Sequence, residues 1–184
     1  MKHKEEGILR NATVHDVPQM GQIVNSHAEL GKMLFKSYQQ LYENLRDFAV
    51  CEVKGKVVGC VGLTIIWADL AEVRSLAVDG KYQGRGIGRR LVQWTIDEAR
   101  RLGVRRIMSL TYEKEFFARL GFVVVTKESL PLKVWSDCIA CPKRDDCDEI
   151  AMLLTLDDVP ELKQPMAKPT PRGRHIPVLP DEDD

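Results

Sequence analysis

Two stretches of the chain carry apolar residues at the spacing of an amphipathic helix. The first follows residues 13–16, where a threonine and an aspartate resemble a capping box, and it ends at Gly31. The second is predicted over residues 87–102. Shorter helices are predicted over residues 37–46, with Tyr38, Leu41, Tyr42 and Leu45 inward, and over residues 113–120. The apolar face of the second helix consists of Ile87, Leu91, Val92, Trp94, Thr95, Ile96 and Ala99.

Runs of β-branched and apolar residues bounded by turn residues predict strands. A hairpin turn is predicted at residues 54–56 and a longer connection at residues 67–70. The helix at 87–102 is long enough to join two parallel strands by a crossover. The order of elements therefore predicts an α/β (α+β) fold, a mixed, mostly antiparallel sheet with helices on both faces. The predicted strands are residues 7–12, 48–53, 57–66, 72–78, 105–111, 122–126 and 149–156.

The strand at 72–78 carries charge in an otherwise apolar run. Strict alternation places Glu72, Arg74, Leu76 and Val78 on one side of the sheet. Charged groups are costly to bury unless they are paired or solvated. A structural contact between the glutamate and the arginine is one interpretation, and a functional site is the favoured one.

Composition places the fold in residues 1–157. Six of the nine prolines lie in residues 160–180, so residues 158–184 are expected to form a flexible, acidic-ended tail. A formal net charge of +0 gives no electrostatic case for nucleic acid or a membrane surface as partner. No long apolar run or amino-terminal apolar segment suggests a membrane span or export, so a cytoplasmic protein is expected.

Five cysteines suit reduced thiols better than a disulfide framework. Three of them, Cys138, Cys141 and Cys147, lie close together in one predicted loop. A metal site and a redox-sensitive pair are alternatives, but a closed zinc site needs a fourth ligand and no histidine is close in sequence. Unlinked thiols and no metal are therefore expected.

A glycine-rich loop opens the helix at 87–102. Glycines let a backbone approach an anion closely, and the first helical N–H groups lack intrahelical partners, so the loop suits phosphate. A P-loop would need Gly-Lys followed by Ser or Thr, which is absent. A dinucleotide fingerprint would need GxGxxG and an acid about twenty residues later, whereas the acids here fall inside the helix. A simple helix-capping turn is the remaining alternative.

Gln83-x-x-Gly86-x-Gly88 resembles the acetyl-coenzyme A pyrophosphate loop of the GNAT acetyltransferases. The apolar strand before it matches the family strand that holds the pantetheine arm. The resemblance implies acetyl-CoA as acetyl donor, diverging central parallel strands and a bulge that frees a backbone N–H. The implied cofactor-binding residues are Leu76, Ala77, Val78, Gln83, Gly84, Arg85, Gly86, Ile87, Gly88 and Arg89.

Four segments in order, residues 31–41, 57–63, 72–78 and 110–122, resemble the short, kinase-free amino-acid N-acetyltransferases related to N-acetylglutamate synthase. The resemblance covers roughly residues 7–156. It implies acetylation of L-glutamate or L-glutamine, a small-molecule substrate, in the first step of arginine biosynthesis. The resemblance implies Glu72 as general base and Lys36 as a basic residue beside the substrate. Tyr112 is the candidate acid in place of the family's tyrosine, and the further candidate substrate-binding residues are Arg74, Ser75, Thr111 and Lys133.

Two departures keep alternatives open. Phe117 occupies the position where many GNAT enzymes carry a tyrosine that acts as general acid. The last strand lacks the Arg-x-Ser with which the larger synthases bind the substrate carboxylate. An enzyme acting on a protein N-terminus, a lysine or a polyamine, and a cofactor-binding sensor without catalysis, are therefore alternatives. A homodimer is left open as the oligomeric state.

Overall fold

The computed structural model describes residues 7–130 and 148–162. Within these ranges a mixed sheet of seven strands has the order β1-β2-β3-β4-β5-β7-β6. Only β4 and β5 pair in parallel among the pairings described. The strands are β1 (Ile8–Asn11), β2 (Phe48–Val53), β3 (Lys56–Trp67), β4 (Leu70–Val78), β5 (Arg106–Thr111), β6 (Val123–Val124) and β7 (Ile150–Thr155). The α-helices are α1 (Val17–Glu29), α2 (Tyr38–Glu43), α3 (Ile87–Leu102) and α4 (Lys114–Ala118).

The predicted fold class is confirmed, with local differences in element length. α3 has its predicted bounds because a left-handed glycine flanks each end, Gly86 at φ 83° and Gly103 at φ 74°. α2 is shorter than predicted, since a 3-10 turn follows at Leu45–Asp47. Its tyrosines are not inward as expected: Tyr38 and Tyr42 are about half exposed. The predicted connection at 67–70 is only a two-residue turn between β3 and β4.

Two apolar layers cover the two faces of the sheet. α1 and α2 bury Val17, Met20, Ile23, Val24 and Leu41 against one face. The other face packs against the apolar stripe of the amphipathic helix α3. The buried apolar residues of that stripe are Ile87, Leu91, Val92, Ile96 and Ala99.

A β-bulge interrupts β4 and overturns the predicted alternation. Cys60 of β3 pairs with Ala77, but Gly62 pairs with Arg74, so two residues of β4 stand opposite one of β3. The bulged Ser75 has a left-handed φ of 52°.

The bulge exchanges the faces to which the side chains of β4 point. Before it, Val73 belongs to the core on the α3 face. After it, Ala77 belongs to the core on the α1 face, while Leu76 and Val78 pack towards the α3 side. By alternation, Glu72 and Arg74 therefore lie on the face opposite to Leu76 and Val78, not on the same face as predicted.

The two parallel strands separate after a short stretch of pairing. β4 and β5 pair only from Leu70 with Arg106 to Glu72 with Met108. Beyond that point the described residues of the two strands show no further pairing in register, although the Ser109 hydroxyl of β5 still donates to the Val73 carbonyl at 3.5 Å. The edge of β4 then opens into a gap. The predicted divergence of the central strands is confirmed.

The carboxyl-terminal part of the chain packs slightly beyond the predicted domain end at residue 157. Val159 is 5% exposed and belongs to the core on the α3 face, and Asp158 accepts a hydrogen bond of 2.7 Å from Arg100. The rest of the predicted tail, Lys133 and the clustered cysteines Cys138, Cys141 and Cys147 lie outside the described residues. In the part that is described, no helix has the length and apolarity needed to cross a membrane.

The entry to α1 is fixed by a buried ion pair. The Arg10 guanidinium on β1 donates to both carboxylate oxygens of Asp16, at 2.7 and 2.8 Å, and to Glu52 at 2.9 Å. Asp16 also accepts from the backbone N–H of Thr13 at 2.7 Å, which is one of the two bonds of the predicted capping box, and from the Thr13 hydroxyl at 2.9 Å. The hydrogen bond from Arg10 lowers the pKa of Asp16 from 3.8 to about 2.

This ion pair predicts acid-sensitive stability. A carboxyl whose folded pKa is depressed stabilises the fold above its ordinary value, and that contribution is lost as the pH falls from about 4 to about 2. Asp16→Asn should lower the free energy of unfolding by about 2 kcal/mol at pH 7, measured by denaturant titration, with a smaller difference near pH 2. Asp97→Asn, at an exposed ion pair on α3, is the control and should change stability by less than about 0.5 kcal/mol. An equal loss for Asp16→Asn at both pH values would contradict the prediction.

Candidate active site

A cavity of about 990 Å³ lies where β4 and β5 separate. Its walls come from β4, the end of β5, the glycine-rich loop, the start of α3, α4 and the segment between α1 and α2. Such a cavity at the fork of two parallel strands is large enough for an extended small-molecule ligand.

The glycine-rich loop is held in an open conformation at the amino end of α3. Gly84 and Gly86 have φ values of 70° and 83°, and an added Cβ at either position would have no atom within 4 Å. The loop therefore leaves free space in front of the first N–H groups of a sixteen-residue helix. Gln83 donates its side-chain amide to the carbonyl of Val78 at 3.1 Å, which ties the loop to the end of β4.

A second anchor holds the start of the same loop. Asp79 accepts from the Lys81 backbone N–H at 2.9 Å and lies 3.4 Å from the Lys56 ammonium group. The backbone hydrogen bond, helped by Lys56, lowers the pKa of Asp79. The loop is thus fixed both to β4 and to the β2–β3 hairpin.

The charged residues of β4 face the cavity on the α1 side. Arg74 Nη1 lies 3.5 Å from the Thr64 hydroxyl, which donates to Asp47 at 2.8 Å. Glu72 pairs in register with Thr64 and is half-buried. Both cavity-lining side chains are thus neither fully buried nor fully solvated, which suits groups that contact a ligand.

The end of β5 supplies the hydroxyl groups. Tyr112 is half-buried and lines the cavity, and Thr111 is 8% exposed and accepts from the Glu113 backbone N–H at 2.9 Å. Phe117 is packed between two aromatic rings, with centroid distances of 5.2 Å to Phe116 and 5.1 Å to Phe122. Tyr112 therefore places a phenol at the cavity near the end of β5, and Tyr82, beside the glycine-rich loop, places a second one there.

Most of the predicted site residues line this one cavity. Ala77 does not, because after the bulge its side chain is buried in the core on the α1 face. Arg85 does not, because its guanidinium donates to the Lys81 carbonyl at 2.8 Å and stacks over the ring of Tyr82. The lining residues among those predicted are Lys36, Glu72, Arg74, Ser75, Leu76, Val78, Gln83, Gly84, Gly86, Ile87, Gly88, Arg89, Thr111 and Tyr112.

Sequence reasoning missed other lining residues. His27 of α1 lines the cavity, and its Nε2 lies 2.9 Å from the Val78 carbonyl oxygen. Its position at the end of the apolar face of α1 was visible in the sequence, but its neighbour on β4 was not. The remaining missed residues include Lys32, Met33, Leu34, Leu110, Phe116, Arg119 and Lys127.

Basic groups outnumber acidic groups in the lining. Six lysines or arginines and three glutamates border the cavity, which favours an anionic ligand. No group of three or more metal-ligating side chains forms within the described ranges.

These features define a protein with a site for an extended, phosphate-bearing ligand between two diverging strands. Its sequence matches the model of the acetyltransferase (GNAT) family over residues 20–122. It is 41% identical over 148 residues to an uncharacterized N-acetyltransferase of Chlorobaculum tepidum, covering 80% of this chain and 96% of the relative. It is also 40% identical over 134 residues to an amino-acid acetyltransferase of Mycobacterium tuberculosis, covering 71% and 76%.

A solved structure supports the same assignment. The N-acetylglutamate synthase of Neisseria gonorrhoeae, complexed with coenzyme A and N-acetyl-glutamate, superposes with a TM-score of 0.74 at 28% identity. The match covers 81% of this chain and 35% of that chain. The protein belongs to the GNAT family of acetyltransferases, and its acetyl donor is acetyl-CoA. The open glycine loop, the exposed edge of β4 and the basic Arg89 fit that donor.

The left-handed Ser75 gives a direct test of the bulge. A residue with a Cβ pays roughly 1 kcal/mol in this conformation, which glycine avoids. Ser75→Gly should therefore be more stable to denaturant than Ser75→Ala by about 1 kcal/mol, although both lack the hydroxyl group. Ordinary strand geometry would give the reverse order, because glycine weakens a regular strand. Equal or reversed stabilities of the two variants would contradict the bulge.

Proposed function

We propose that the protein transfers the acetyl group of acetyl-CoA to the α-amino group of L-glutamate or L-glutamine, the first step of arginine biosynthesis. The observation that carries the proposal is the placement of Lys36, Glu72 and Arg74 on one cavity beside the fork of β4 and β5. Two cations suit the carboxylates of an amino acid, and one carboxylate suits the proton of its ammonium group.

The comparisons support an amino-acid acceptor. The relative from Mycobacterium tuberculosis is named an amino-acid acetyltransferase, and the structure from Neisseria gonorrhoeae holds N-acetyl-glutamate beside coenzyme A. The fold is shared with such enzymes. The identity of the amino acid, glutamate or glutamine, and the place in arginine biosynthesis rest on the proposal alone.

Different residues carry the separate steps of the proposed acetyl transfer. When bound, acetyl-CoA supplies an acetyl thioester, which a neutral amine attacks directly. Glu72 accepts the proton of the substrate ammonium group, directly or through water. The Leu76 N–H lies at the bulge, beside the edge of β4 that opens after the pairing with β5 ends. It can donate to the negative charge that develops on the acyl oxygen, and Tyr112 can protonate the departing thiolate.

Thiol release measured with a series of amine acceptors tests the substrate class. Purified protein with acetyl-CoA should release free thiol rapidly with L-glutamate or L-glutamine and slowly with L-aspartate, polyamines and short peptides. The expected reason is that Lys36 and Arg74 bind carboxylates at a fixed distance from the reacting amine. Release with peptides or polyamines alone would refute the amino-acid acceptor, and no release despite tight coenzyme A binding would indicate a sensor.

Glu72→Gln tests the base. The substitution keeps the shape of the side chain but removes its proton affinity, so kcat should fall by about a hundredfold. The affinity for acetyl-CoA, measured by calorimetry, should stay within about twofold, because the donor loop is untouched. Glu43→Gln, at an exposed position of α2 outside the cavity lining, is the matched control and should retain full activity. Unchanged turnover in Glu72→Gln would remove this residue as the base.

A further inference from the structure

The segment between α1 and α2 contributes four side chains to the cavity: Lys32, Met33, Leu34 and Lys36. None of these residues lies in a helix or strand. A segment without regular backbone hydrogen bonds needs other anchors to hold side chains against a ligand. The position of the segment relative to the cavity therefore depends on the contacts at its two ends.

The start of the segment is anchored to the end of α1. Gly31 takes a left-handed φ of 69°, and the Lys32 N–H donates to the His27 carbonyl at 3.1 Å. The side chain of Met33 packs against the core on the α1 face. These contacts reverse the chain direction but leave Lys36 several residues away.

The end of the segment is anchored by one side chain, Asn25 of α1. Its amide Nδ2 donates to the Lys36 carbonyl at 3.0 Å, and its Oδ1 accepts from the Lys36 N–H at 3.0 Å. One side chain thus binds both backbone groups of one residue, as a neighbouring strand would. Ser37, the next residue, caps α2 by accepting from the Gln40 N–H at 3.2 Å.

We propose that Asn25 is a positioning residue for the acceptor substrate, acting through the backbone of Lys36. Asn25 does not itself line the cavity, whereas Lys36 does. α1 packs against the sheet, so the Asn25 amide fixes the backbone of Lys36 relative to a rigid element. The inference rests on the proposed function, because it assigns Lys36 to the acceptor side of the site.

The donor side is held by separate contacts. The glycine-rich loop is fixed by Gln83 and Asp79, and neither hydrogen bond involves the segment from Lys32 to Lys36. Loss of the Asn25 amide should therefore loosen acceptor binding and leave donor binding intact. That separation distinguishes a positioning role from a general loss of stability.

The experiment compares Asn25→Ala and Asn25→Asp with the wild type. Alanine removes both hydrogen bonds, and aspartate keeps an acceptor for the Lys36 N–H but sets a carboxylate against the Lys36 carbonyl. Each should raise KM for the amino-acid substrate by about tenfold, with KM for acetyl-CoA within about twofold. Amide hydrogen exchange in residues 32–36 should become faster in both variants, without any substrate present.

Asn44→Ala is the matched control, because it also removes an asparagine bond to the backbone, from Nδ2 to the Gln40 carbonyl at 2.8 Å, outside the cavity lining. It should lower thermal stability without separating the two KM values. Unchanged exchange in residues 32–36, or an equal rise of both KM values in the Asn25 variants, would overturn the inference. A wild type that acetylates no amino acid would overturn the proposed function instead, and the exchange measurement would still decide the role of Asn25.

Discussion

The site depends on one irregularity, the bulge at Ser75 and Leu76 in β4. Before the bulge the strand is an ordinary member of the sheet, paired with β3 on one edge and briefly with β5 on the other. After it, the strand keeps its bonds to β3 while its other edge faces a gap. A regular strand would continue the parallel ladder and close that gap, because paired backbone groups are the stable arrangement inside a sheet. The left-handed backbone of Ser75 is therefore part of what keeps a binding groove open through the middle of a sheet.

The far end of the opened strand is held by side chains instead of by a neighbouring strand. The Val78 carbonyl lies within hydrogen-bonding distance of His27 from α1 and of Gln83 from the glycine-rich loop. The end of β4 and the loop that follows it are thus joined at one backbone group to α1, which is distant in sequence. Because the helix, the strand end and the loop share this contact, the groove keeps its shape without β5 pairing beside it. A carbonyl that would otherwise face the gap is satisfied at the same time.

Elements with strong local signals were predictable from the sequence, and features set by register were not. α3 was placed correctly because its apolar period and its flanking glycines, Gly86 and Gly103, agree. The glycine-rich loop and the divergence of the central strands followed from family resemblance. The faces of Glu72 and Leu76 were assigned wrongly to one side, because alternation assumes a regular strand and a bulge shifts every later residue by one position. His27 and Asn25 carry no motif at all, since their partners, Val78 and Lys36, are known only once the chain is folded.

The exchange of faces at the bulge separates the charged side chains of β4 from its apolar ones. Glu72 and Arg74 point to the side of α1, where Lys36 also lies, whereas Leu76 and Val78 pack towards the side of α3 and the glycine-rich loop. In the proposed function, the polar groups for the acceptor and the apolar groups for the donor lie on opposite faces of one strand. The two faces meet at the bulge, where the edge of β4 is open. A regular strand with the same composition would place all four side chains on one face and would leave no passage between the two substrates.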